Sequence, residues 1–96
     1  MNEQAPQQKQ IDIQIPPEVE PGHYSNLGLL SHNEGEFIFD FIFLPPQKQS
    51  AKVVSRVILS PQHAKRFLGA LADNLKRYES VFGEIRLGKE ERKIGF

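Results

Sequence analysis

Two periods organise the middle of the chain. Over residues 36–44 and 51–59 the side chains divide between two faces with a period of two, and over residues 60–82 the apolar positions fall every third or fourth. The first spacing is that of extended strands and the second that of a helix. In GEFIFDFIFLPP, residues 35–46, Phe37, Phe39, Phe41 and Phe43 share one side of a strand. Ile38, Asp40, Ile42 and Leu44 share the other, so both faces are apolar apart from one aspartate. A shorter alternation, Ile11, Ile13 and Ile15 in QIDIQIPP, predicts a half-buried strand stopped by Pro16 and Pro17, which cannot donate to a ladder. A further strand is expected over residues 24–32 and another over residues 51–59.

Hairpin geometry sets the expected registers. A three-residue loop Asn33-Glu34-Gly35, with glycine in the left-handed position, places His32 opposite Glu36. Leu29 and Leu27 then face Phe39 and Phe41, and Leu30 and Gly28 face Ile38 and Asp40. Pairing Leu44 with Lys52 sets the phenylalanine row against Val53, Ser55, Val57 and Leu59. The reverse face then joins Ile42 to Val54, Asp40 to Arg56 and Ile38 to Ile58.

The helix begins at Ser60, a good N-cap, with Pro61 in the first turn. His63 stands where a full capping box has Glu or Gln. Ala64, Phe67, Leu68, Leu71, Leu75, Tyr78 and Phe82 form one apolar stripe, and Gly83 is the expected stop. The predicted fold class is therefore α+β: an antiparallel meander of about four strands followed by one long C-terminal helix on the phenylalanine face. A short strand is also expected at Ile85 to Leu87. Residues 1–9, rich in Gln, read as a disordered lead-in, residues 10–87 as one domain, and residues 88–96 as a charged tail ending in Ile94 and Phe96.

No second helix is at hand for the reverse face. Leu30, Ile38, Asp40, Ile42, Leu44, Val54, Arg56 and Ile58 are therefore the expected interface, buried by a second copy of the sheet stacked about 10 Å away. The Asp40–Arg56 pair would add little stability there but would penalise wrong partners. A homo-oligomer, with a dimer favoured, is the expected assembly; a protein client is the alternative partner, and cover of this face by the chain's own first strand, tail or proline loops is the other alternative.

Composition narrows the chemistry. Twelve basic residues balance twelve acidic ones, which leaves no global field for nucleic acid or an anionic membrane. With no cysteine, thiol nucleophiles, disulfides and thiolate metal sites are excluded. No apolar run approaches the roughly 20 residues a membrane helix needs, and the start of the chain lacks a signal-peptide core, so the cytoplasm is expected. No cofactor motif is present. His32, Glu36, Ser60 and His63 fall at one end of the expected sheet, the single candidate for metal or acid–base chemistry. A polar rim, with Ser60 used as a helix cap, is the plainer reading. His23 lies nine residues from His32 on the expected strand, near 30 Å away, and cannot share an ion with it. Lys65-Arg66 and Lys76-Arg77 read as a solvated helix face. Asp40 is a poor general base, because Arg56 beside it lowers its pKa. Gly28, in mid-strand, reads as relief for a bulky neighbour.

The segments Tyr24-Ser25-Asn26, Glu36-Phe37, Asp40-Phe41, Pro45-Pro46, and Arg56-Val57 running into Ser60-Pro61 and His63-Ala64-Lys65 resemble a small prokaryotic family known only as a domain of unknown function. The resemblance spans residues 11 to 87 and implies a bacterial or archaeal origin but no activity. In topology the predicted fold is similar to the export chaperone SecB, which implies the holding of extended apolar segments. The expected function is a non-enzymatic interaction module that self-associates, with a SecB-like chaperone or adaptor as the alternative.

Overall fold

The computed structural model describes residues 10–89 and 94–96. The lead-in expected over residues 1–9, and residues 90–93 of the expected tail, lie outside the described residues. Three strands and one helix follow one another: β1 (Leu27–His32), β2 (Phe37–Phe43), β3 (Lys52–Leu59) and α1 (Pro61–Phe82). The strands form one antiparallel sheet in the order β1-β2-β3. The α+β class, the meander and the C-terminal helix are as the two periods predict.

Among the described residues there is no fourth strand. Ile11, Ile13 and Ile15 lie outside the sheet, and Ile13 is 84% exposed. Alternation supplies a side-chain period, but a strand also needs a ladder partner, and no described strand of this chain pairs with the segment. Pro16 begins a run of turns that closes at Gly22, whose N–H donates to the Val19 carbonyl with φ at 76°. The strand expected at Ile85 to Leu87 is also absent; the Ile85 N–H donates instead to the Glu79 carboxylate.

The β1–β2 register differs by one residue from the expected one. Leu30 lies opposite Phe39, Gly28 opposite Phe41 and His32 opposite Phe37. The cause is the turn. The Asn33 side-chain oxygen accepts from the backbone N–H groups of Gly35 and Glu36, at 2.8 and 2.9 Å, and the Asn33 N–H donates to the Glu36 carbonyl. This Asx closure shortens the loop to Glu34-Gly35, and Gly35 is not among the glycines at positive φ. A one-residue slip changes the face of every side chain on the strand. Leu30 therefore joins the phenylalanine face, while Leu27 and Leu29 move to the reverse face with Ile42 and Asp40.

Between β2 and β3 the expected pairs from Phe37–Leu59 to Phe41–Ser55 are all present, Asp40–Arg56 among them. A bulge follows. Ile42 pairs with Val53 and Phe43 with Lys52, leaving Val54 as the extra residue. Val53 thus takes the reverse-face place expected for Val54, and Leu44 falls beyond the strand.

The opposite end of the β1–β2 hairpin is closed by side chains. The Asn26 amide donates to the Leu44 carbonyl and accepts from the Leu44 N–H, both at 2.9 Å, as a strand residue would. Ser25 Oγ accepts from the Ile42 N–H at 3.0 Å and donates to the Leu27 or the Ile42 carbonyl, each 2.9 Å from Oγ. These bonds give Ser25 and Asn26 a structural role.

The helix follows its sequence signals closely. Ser60 Oγ accepts from the His63 N–H at 3.1 Å, Pro61 occupies the first turn, and the Gly83 N–H closes onto the Glu79 carbonyl with φ at 99°. Its packing does not. No residue of α1 is buried, although Phe67 meets Phe39 edge to face at 5.6 Å between centroids. The far half of the stripe, Leu75, Tyr78 and Phe82, stands exposed. Among the described residues Ile42, 6% exposed, is the sole buried large apolar side chain. A radius of gyration of 18.3 Å, against about 12–13 Å for a compact chain of this length, agrees with so open a form.

Candidate functional site

The site with the most built geometry is the cleft between the phenylalanine face and the start of α1. Its floor is Phe37, Phe39 and Phe41 with Leu30, and its wall is Ala64, Phe67, Leu68 and Leu71. It encloses about 610 Å³. Lys65 is the charged side chain at its border, so the cleft offers apolar and aromatic surface with little polar chemistry. The elements that make it are a strand whose period of two puts the phenylalanines on one side, and a helix whose stripe begins directly after the cap.

One further residue lines the cleft: Phe96, from the far end of the sequence. Its N–H donates to the Gly28 carbonyl and its carbonyl accepts from the Gly28 N–H, each at 2.8 Å, on the outer edge of β1. The bulky neighbour for which Gly28 makes room is this ring. In the sequence the two residues share no period. An isolated aromatic after a charged stretch, together with a bare glycine in an apolar strand, was the available signal.

The expected interface residues divide between the two faces. Ile38, Asp40, Ile42 and Ile58 lie on the reverse face, as expected, with Leu27, Leu29 and Val53 added by the register shift and the bulge. Leu30 belongs to the cleft, Val54 is at the bulge, and Leu44 is past the end of β2. At the centre of the reverse face Arg56 grips Asp40 with two bonds, Nε to Oδ1 at 2.6 Å and Nη2 to Oδ2 at 2.9 Å. The hydrogen-bonded guanidinium holds the Asp40 carboxyl below the ordinary value of 3.8 despite partial desolvation, and the carboxylate raises Arg56 in return. The Asp40 side chain is 13% exposed and Arg56 60%, so the cation is still largely in water.

The polar rim is not drawn into one cluster. His32 stacks on Phe37 with centroids 5.3 Å apart, and Ser60 is engaged as the cap. His32 and the end of β3 flank β2 on opposite sides, about 10 Å apart by strand spacing. Among the described residues no group of three or more His, Asp and Glu is placed to hold a metal ion. No helix among them is long and apolar enough to cross a membrane.

A family model described as a protein of unknown function (DUF3467) matches residues 1–87. No curated protein and no solved structure matches the chain.

Proposed function

We propose that the chain, which belongs to the DUF3467 family of proteins of unknown function, is a non-enzymatic interaction module that self-associates through the reverse face of its sheet. A prokaryotic, cytoplasmic setting goes with this reading. One observation carries it: a single large apolar side chain is buried among the described residues of a chain with seven phenylalanines. A small domain is only marginally stable even with a full core. Leu29, Ile38, Val53 and Ile58 make a flat apolar patch around the Asp40–Arg56 pair, and a second copy related by a two-fold axis would meet it with the same patch.

Ile58→Lys tests the reading. Ile58 is 52% exposed, so covering it yields about 1.2 kcal/mol per chain, half the value of a fully buried Ile side chain. A two-fold interface counts this twice, so the dimer weakens at least ~50-fold. Sedimentation should show dissociation while circular dichroism keeps the helix signal. An unchanged sedimentation profile for parent and variant refutes the reading.

The cleft favours a second reading, in which the module holds extended apolar segments in the manner of a chaperone or adaptor. Its aromatic lining suits such a client. Failure to retain any of a panel of reduced, unfolded proteins would exclude it.

A further inference from the structure

The contact between Gly28 and Phe96 is a matched fit rather than a casual one. A Cβ built on Gly28 would lie 2.5 to 2.8 Å from three atoms of the Phe96 ring, closer than real Cβ atoms come. A Cβ on Gly95 would collide with the Gly28 carbonyl oxygen, and Gly95 has φ at 65°, where other residues are strained. Gly95 is thus needed for the main chains to approach and exchange two hydrogen bonds, and Gly28 for the ring to sit flat on the strand. Gly28 is itself buried by this arrangement, whereas Phe96 stays 63% exposed. The ring is seated from outside, on the rim of the cleft, and takes no part in the β1–β2 ladder.

From this fit we propose that the outer edge of β1 at Gly28, together with the aromatic cleft, is a docking site for an extended Gly-Phe segment, and that the chain's own Gly95–Phe96 is its resident ligand. The recognition is strand addition: main-chain bonds give the pairing and the Phe pocket gives the selectivity. Seated in cis, Gly95–Phe96 pairs with the β1 edge at Gly28 and places its ring at the cleft, two features that otherwise invite association. The tail is thus a removable cover. The inference concerns the cleft side of the sheet and holds whether or not the reverse face self-associates.

The test uses the full chain. Phe96→Ala should raise the fluorescence of an apolar-surface dye several-fold and speed the exchange of the Gly28 amide proton. A synthetic peptide covering residues 88–96 should then bind saturably, suppress the dye signal and shift the Gly28 amide resonance. Gly28→Val should abolish peptide binding. Because that change also touches β1, Gly95→Ala is the companion: it leaves the sheet intact and should release the tail as Phe96→Ala does. Dye binding and Gly28 exchange unchanged in both tail variants, or peptide binding that survives in Gly28→Val, would overturn the proposal.

Discussion

Replacing Ile42 and Ile58 by alanine, one at a time, separates the chain's own core from the surface assigned to a partner. Each substitution removes three carbons, worth roughly 2.4 kcal/mol at about 0.8 kcal/mol per methylene when the side chain is fully buried. Ile42 is 6% exposed, so it should lose nearly all of this. The cavity should add little, since exposed Val53 opposite can close over it, and the expected cost is about 2.5–3.5 kcal/mol. Ile58 is half exposed in the single chain and should cost only about 1.2 kcal/mol there. Within a two-fold assembly the same atoms are covered, and the cost per chain should rise towards 2.4 kcal/mol. The assay is urea unfolding followed by circular dichroism at two protein concentrations a hundredfold apart. Ile42→Ala should cost the same at both, and Ile58→Ala should cost about twice as much at the higher. A penalty under about 1 kcal/mol for Ile42→Ala would mean that the core has been misplaced. A concentration-independent 1.2 kcal/mol for Ile58→Ala would refute self-association through this face.

The carboxyl of Asp40 should titrate below 3.8 by NMR and return towards that value in Arg56→Gln. Its folded pKa is depressed, so the stability it contributes is present above the unfolded value and is lost as pH falls through the folded one. Arg56→Gln should accordingly flatten the dependence of stability on pH in the acid range and leave it unaltered near neutrality. Ser60→Ala removes the oxygen that accepts from the His63 N–H and should cost about 1 kcal/mol, read as a lower thermal midpoint of the helix signal.

How much of this was legible depended on how local each signal is. The helix was readable at both ends because Ser60, Pro61 and Gly83 act within one turn of where they stand. The pairs from Phe37–Leu59 to Phe41–Ser55 were readable because parity and two apolar faces leave few alternatives. The β1 register was not, since Asn33-Glu34-Gly35-Glu36 fits a two-residue loop as well as a three-residue one, and the choice turns on an Asn33 side-chain bond. The bulge was hidden because Val53 and Val54 are the same residue and either satisfies the pattern. Ile11 to Ile15 has a strand's alternation without a strand's partner, and pairing is a property of two segments. The Gly28–Phe96 seat joins residues far apart in sequence and leaves no period to detect.

Asn26 carries a practical corollary. One amide performs the job of an additional ladder rung, so beyond the bond from the Asn26 N–H to the Ile42 carbonyl the hairpin's open end is sealed by a side chain. Residues 10–23 make their hydrogen bonds among themselves and none to the hairpin. A fluorescent reporter or an affinity handle spliced in ahead of that point should hang from the protein as a pendant group, leaving both broad surfaces open to inspection.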